Sequence, residues 1–370
     1  MAPGRKRHEA AALARNPYLY GVPRPGVSPG PILDRYDGVV DESRECAPAS
    51  SRGPGPVQAD EGGRARNAER IRDFVADSGD ADLVVFPEAS LSGYFLEGGV
   101  AEAALTVEQL TDALGPPADG APDVALGFYE RWRRRLYNSV AYLEPVDGVW
   151  VVRHVHRKIF LPTYGVFDEA RFAEPGTEVR AFDTRFGRMG MLVCEDAWHA
   201  MTSTILAVGG AEVILVVSAS PARDFAPSSG GRPDNLERWD RLAPAIATEH
   251  GVFVAVSQLT GSEGGKLFPG GSIAVGPTGD VLARGPLFEE SVTTAEFEAT
   301  AIDRARDAQP LLSDLEQMLP HLERSLLVAS GQSAIDDEDE DSGAIREVEA
   351  TPVLAGRGAP RTDDPALRDP

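Results

Sequence analysis

Lysine is nearly absent from this sequence. Of 370 residues only Lys6, Lys158 and Lys266 carry it, and arginine supplies the other basic side chains. Positive charge is short overall: 36 Lys and Arg stand against 58 Asp and Glu, for a formal charge of -22. Phosphate backbones are held by basic faces, so this deficit argues against a nucleic-acid partner. Cysteine is scarcer still. Cys46 and Cys194 are too few for a disulfide framework, which fits a reducing cytoplasm. No apolar run approaches the roughly 20 residues that cross a bilayer, so no membrane span is expected. Residues 1–30 also lack the apolar stretch of a secretory signal. What is present, 42% hydrophobic and 25% charged residues, is the composition of a soluble globular chain.

Four regions follow from composition and periodicity. Residues 1–56 are rich in Pro, Gly, Ser and Arg and bury too little apolar surface to fold alone, so loop is expected there. Residues 57–303 alternate helical and strand patterns. Ala68, Ile71, Phe74 and Val75 share a helix face, and 82–87 reads as a buried strand. A helix is expected over 106–114. Strands follow at 124–129, 136–144 and 148–156, the last two joined by the hairpin signal Asp147-Gly148. A long loop, 158–176, precedes a strand through Met189, Met191 and Val193, then a helix through Val208. Further strands are expected at 212–218, 252–258, 272–284 (a hairpin) and 297–302, with a helix through Leu236 and Ile246 capped by Gly251. Hairpins among alternating helices and strands imply an α/β protein with mixed sheets. Leu311, Leu315, Met318, Leu322 and Leu326 place an amphipathic helix in 304–330, and 331–370 reads as an acidic tail.

Three side chains stand where chemistry is often placed. Cys194 falls at a strand-to-helix corner, near backbone N–H groups that lower a thiol pKa and can hold an oxyanion. Glu88 ends an apolar strand, at the sheet edge where open α/β folds carry their sites. Lys158 ends another strand and opens the long loop. His154 and His156 share a strand face but have no third ligand at sensible spacing, so no metal site is expected. His199 and His250 read as surface or satisfied polar packing, and no histidine is placed as a base.

These residues lie in three ordered segments: Asp82-Leu-Val-Val-Phe-Pro-Glu-Ala-Ser-Leu-Ser-Gly-Tyr, Arg157-Lys-Ile-Phe-Leu-Pro and Gly190-Met-Leu-Val-Cys-Glu-Asp-Ala-Trp. In order and spacing they resemble the nitrilase (carbon–nitrogen hydrolase) superfamily. The stretch Lys158-Ile-Phe-Leu-Pro-Thr-Tyr-Gly-Val-Phe-Asp-Glu and Ser218-Ala-Ser-Pro look most like the glutaminase domain of glutamine-dependent NAD synthetases. The resemblance implies a four-layer αββα sandwich and a cysteine amidohydrolase acting on a small carboxamide, without a cofactor. It implies Glu88 as general base, Lys158 as the cation beside the tetrahedral intermediate, Cys194 as nucleophile and Glu169 as a second carboxylate orienting substrate or lysine. Tyr94, Glu195 and Trp198, next to motif residues, are candidates to line the substrate pocket. Nitrile or N-carbamoyl hydrolysis by the same residues, and a catalytically silent regulatory subunit, stay open. The opening strand of the family survives here only as Gly55-Pro-Val-Gln. No synthetase half with its Ser-Gly-Gly loop occurs, so a stand-alone hydrolase or a supplier of ammonia to a separate synthetase is expected. Homo-oligomers are expected as well.

Overall fold

Residue alternation sorts the strands into two sheets whose inner faces meet. The computed structural model describes residues 32–34, 61–78, 81–96, 99–223 and 233–332. The expected loop character of 1–56 apart from 32–34, the strand remnant at 55–58, Cys46 and the acidic tail from 333 onward lie outside the described residues.

The first sheet holds β1 (Ile32–Asp34), β2 (Leu83–Val85), β3 (Asp123–Trp132), β4 (Arg135–Val146), β5 (Val149–Arg157) and, at its far edge, β14 (Thr293–Ala295). Its order is β14-β1-β2-β3-β4-β5. β1, β2 and β3 run parallel; the outer pairings are antiparallel. The second sheet holds β6 (Phe182–Thr184), β7 (Gly187–Val193), β8 (Val213–Ser218), β9 (Phe253–Gln258), β12 (Ile273–Val275) and β13 (Val281–Arg284). Read from β6, its order β6-β7-β8-β9-β12-β13 repeats the same succession of antiparallel and parallel pairs.

Between the sheets, Leu83, Val85, Ala125 and Val140 meet Met189, Met191, Val193, Leu215 and Val217 in one buried cluster. Residues one step along each strand face outward. Val84, Phe86, Val124 and Leu126 pack with Ala68 and Ile71 of α1 (Glu61–Ala76), Val100 of the short α2 (Val100–Ala103) and Leu110 and Leu114 of α3 (Val107–Leu114). Leu192, Ile214, Val216 and Val254 pack with Leu206 of α4 (Ala200–Val208) and Trp239, Ala243 and Ile246 of α5 (Asp234–His250). The result is a four-layer αββα sandwich. Each fully buried Leu, Val, Ile or Phe contributes about 1.5–3 kcal/mol of transfer free energy, so the period-2 pattern fixes which face turns inward.

Local signals set most boundaries. The Thr106 hydroxyl accepts from Gln109 N–H while the Gln109 side chain accepts from Thr106 N–H, a complete capping box at the start of α3. Asp147 and Gly148 both have positive φ, 50° and 78°, as a two-residue hairpin turn requires. Gly251 ends α5 in the left-handed conformation.

Four differences from the sequence expectations stand out. Residues 32–34 form a strand inside the segment expected to be loop, paired between β2 and β14. The segment 297–302 is not a strand: α6 (Ala299–Ala308) begins there, because Ile302 and Ala305 are buried at helical spacing. After Cys194 a five-residue 3-10 turn, Cys194–Trp198, precedes α4, so the corner and the helix are separate pieces. An unforeseen hairpin, β10 (Thr260–Glu263) with β11 (Lys266–Pro269), turns at Gly264-Gly265. α7 (Leu311–Ala329) matches the expected amphipathic helix, with Leu312 buried and Met318, Leu322 and Leu326 exposed.

Candidate active site

Three strand ends deliver the candidate residues. β2 runs out at Val85 and the chain turns through Phe86 and Pro87 to Glu88, with Ala89 at φ 53°. Gly127 of β3 makes this turn possible. A Cβ there would meet Pro87 O, and would lie 2.7 Å from Ala89 N and 2.8 Å from Glu88 Cα, inside van der Waals contact. β5 ends at Arg157, and Lys158 is tied back by its N–H to Asn138 O at 2.8 Å. β7 ends at Val193, and Cys194 takes φ 47°. Positive φ at a non-glycine costs on the order of 1 kcal/mol or more and persists where the surroundings over-determine it.

These ends converge. Lys158 Nζ donates to Glu88 Oε1 and to Glu169 Oε1, both at 2.7 Å. Glu88 Oε1 also accepts from Asn138 Nδ2 at 2.7 Å, and its Oε2 accepts from Ala219 N–H at 2.7 Å. The Tyr94 hydroxyl donates to Glu169 Oε1, and the Ser218 hydroxyl donates to Cys194 Sγ at 3.4 Å. Glu88 and Lys158 have no exposed surface, and Glu169 and Cys194 only 8% each, so these charges act with little screening by water.

Burial alone works against the Lys158 charge, but the Glu169 and Glu88 carboxylates outweigh it and hold the ammonium well above its usual range. Burial pushes the Glu169 carboxyl up; Lys158 pulls it back, and the Glu88 charge adds to the rise. Burial also pushes the Cys194 thiol up. Glu88 adds to this, and Lys158 and the Ser218 hydroxyl offset only part. The thiol pKa lowering expected of a strand-to-helix corner is therefore overturned. A single 3-10 turn adds little dipole, and a buried carboxylate disfavours a second negative charge beside it. Burial and the neighbouring carboxylate thus both favour the protonated thiol.

Of the residues expected to line the pocket, Tyr94 is buried against Glu169, with its N–H and that of Phe95 held by Glu263 Oε2 at 2.7 and 3.3 Å. Glu195 is half-buried, and its Oε2 accepts from the Tyr164 hydroxyl at 3.0 Å. Burial, and then the bond to Glu195, push that phenol up to about 12, and the Arg223 guanidinium offsets only part of the rise. Trp198 does not join them. Its ring packs edge-on to Trp239 at 5.6 Å under the Arg238 guanidinium, in the layer between the second sheet and α5. Asn138 and Ser218 are part of the cluster, and Asp196 holds the backbone next to Lys158 and Cys194; sequence reasoning missed all three. His156 is buried with its Nε2 2.8 Å from Asp196 Oδ2, and His154 stacks on Phe182, so both serve as packing.

Known proteins resemble this chain in sequence and in fold. A family model described as carbon-nitrogen hydrolase matches residues 49–307. The glutamine-dependent NAD(+) synthetase of Thermotoga maritima is 32% identical over 249 residues, 64% of this chain and 39% of the synthetase. The chain thus spans about two fifths of the length of that relative. The N-carbamoylputrescine amidase of Solanum lycopersicum is 27% identical over 221 residues, 57% of this chain and 70% of the amidase. Among solved structures, a carbon-nitrogen hydrolase from Helicobacter pylori G27 has the same fold, with a TM-score of 0.62 at 20% identity over 77% of this chain and 94% of its own. With its two facing mixed sheets and a family match that runs across both of them, the chain belongs to the carbon-nitrogen hydrolase family.

Proposed function

We propose that the chain hydrolyses a small carboxamide, glutamine or a similar ω-amide first among them, through a thioester on Cys194 with release of ammonia. The observation that carries this reading is Lys158 bridging Glu88 and Glu169 at 2.7 Å each, in the buried cluster that includes the thiol. Glu88 takes the thiol proton as sulfur attacks the amide carbonyl. The Lys158 ammonium and the Glu195 backbone N–H stabilise the oxygen as it becomes negative. The carbon–nitrogen bond then breaks, and the proton held by Glu88 passes to the departing nitrogen. Water enters, loses a proton to Glu88 and attacks the thioester, which releases the acid and restores the thiol. Glu169 Oε2 has no partner among the described residues, and it accepts from the substrate amide N–H.

The preference for glutamine rests on two charges that meet at Tyr164. Glu195 is held by Tyr164, and the Arg223 guanidinium lies 5.5 Å from the Tyr164 ring centre and 4.9 Å from that of Phe167. Arg223 Nη2 has no hydrogen-bond partner among the described residues. An anion and a cation so placed match the α-ammonium and α-carboxylate of an amino acid. N-carbamoyl hydrolysis by the same residues is the second reading, favoured by the 27% identity to the tomato amidase. A separate ammonia-consuming synthetase as partner, homo-oligomeric assembly and a cytoplasmic setting extend the first reading.

Ammonia release from glutamine, other ω-amides, N-carbamoyl amines and nitriles tests this directly. Glutamine is expected to give the highest kcat/KM, and Cys194→Ala to abolish turnover while keeping its circular dichroism spectrum. Carbamoyl substrates at the head of the panel select the second reading. Turnover retained in Cys194→Ala refutes the covalent route altogether.

A further inference from the structure

Asp196 lies two residues beyond the thiol, fully buried, and touches none of the catalytic atoms. Its carboxylate nevertheless reaches both sides of the site. Oδ1 accepts from the N–H groups of Ile159 at 2.9 Å and Phe160 at 3.0 Å, the two residues that follow Lys158. Oδ2 accepts from the N–H of Val193, the residue before Cys194, at 3.2 Å, and lies 2.8 Å from His156 Nε2. The Asp196 carbonyl accepts from the Thr202 hydroxyl at 2.6 Å, which anchors it to α4.

We propose that Asp196 is a positioning residue that sets the placement of the Lys158 ammonium relative to the Cys194 sulfur by holding the backbone that follows Lys158 and the backbone that precedes Cys194. The proposal rests on the reading of Lys158 and Cys194 given above. Ile159 and Phe160 carry on from the end of the first sheet, and Val193 ends a strand of the second. One carboxylate therefore joins the two catalytic strand ends. Only a carboxylate can do so. It offers acceptor sites on both oxygens, whereas an amide in the same place presents an NH2 to donors on one side. With the amide oxygen kept on Ile159 and Phe160, the NH2 would face Val193 N–H, which cannot accept. His156, by changing tautomer, can. Asparagine should thus preserve the lysine side and loosen the cysteine side, and alanine should release both.

The test measures ammonia release from glutamine together with alkylation of Cys194 by iodoacetamide across pH, in a Cys46→Ser background. Asp196→Asn is expected to lower kcat about 10- to 100-fold with KM changed less than threefold, since a displacement near 1 Å costs about 10²-fold. The midpoint of the alkylation profile should move to higher pH as the ammonium loses its hold on the sulfur. Asp196→Ala should be worse than Asp196→Asn on both measures. A purely structural role would lower the melting temperature and leave the alkylation midpoint and the kcat per alkylatable thiol unchanged; that result overturns the proposal. If Asp196→Ala does not fold, His156→Gln, which keeps a donor to Oδ2, supplies the milder perturbation. It should shift the midpoint in the same direction by a smaller amount, and an unmoved midpoint there counts against the proposal. Loss of turnover in Cys194→Ala alongside normal kcat in Asp196→Asn would remove the role of Asp196 and leave the catalytic reading in place.

Discussion

Gly127→Ala is a one-methyl substitution on a strand, seemingly mild, and the geometry makes it severe. The new Cβ would meet Pro87 O and lie 2.7 Å from Ala89 N and 2.8 Å from Glu88 Cα. Ordinary contacts begin near 3.4 Å, so the turn that carries Glu88 must retreat by roughly half an ångström or more, and it is backbone that has to move. Glu88 is held by Asn138, Lys158 and Ala219, each at 2.7 Å, so a shift of that size stretches three hydrogen bonds together. Overpacking costs about 1–3 kcal/mol, or about 2–6 °C in Tm for a domain of this size. Under the proposed role of Glu88 as base, its misplacement lowers kcat about 10- to 100-fold. Substrate contacts away from Glu88 are untouched, so KM should change little. Differential scanning fluorimetry and steady-state ammonia release on purified protein measure both quantities. A variant with wild-type Tm and kcat within twofold would refute the claim that Gly127 shapes the Glu88 corner.

The remaining predictions concern separate parts of the molecule. Lys158→Arg should lower kcat by about 10²-fold or more, because a planar guanidinium cannot occupy the fully buried place of a compact ammonium between two carboxylates; near-normal turnover would demote Lys158. His154 has its pKa lowered to about 4, first by burial and then by His156, Arg180 and Arg157. The folded protein therefore binds fewer protons than the unfolded chain between about pH 4 and 6.5, and stability contributed by the neutral ring is lost as pH falls through that window. The loss is of order 3 kcal/mol. His154→Phe should flatten the pH dependence of urea midpoints there, and an unchanged slope would show that the ring titrates normally. Thr106→Ala removes the side-chain acceptor of the α3 capping box and should cost about 1 kcal/mol in urea unfolding without changing kcat.

Much of the fold was legible because its signals are local. The β4–β5 hairpin follows from alternation plus Asp147-Gly148, and α5 from apolar spacing plus Gly251. Segment 32–34 was not, since three residues carry no period and pairing with β2 and β14 is long-range. In 297–302 the short run offered both spacings, and burial of Ile302 and Ala305 decided for helix. The β10–β11 turn did carry a signal in Gly264-Gly265. Within the site, Glu88, Lys158 and Cys194 are visible because each ends a strand in a recognisable motif. Asn138 and Ser218 look like ordinary strand polar residues, and Asp196 like an ordinary turn acid. Their partners lie tens of residues away and are defined only once the sheets meet. Trp198 was misjudged because nearness in sequence to Cys194 says nothing about which side of a 3-10 turn a ring leaves from.

The Cys194 thiol follows a strand of one sheet, while the Glu88 carboxylate and the Lys158 ammonium follow strands of the other. Polar ties that cross between them include Ala219 to Glu88, Ser257 to Val85 O, Arg185 to Asp123, and Asp196 to His156, Ile159 and Phe160. Turnover is thus a gauge of how the two halves are seated. Mild heat or denaturant that lets one half slip by an ångström should silence the enzyme while every strand and helix is still in place.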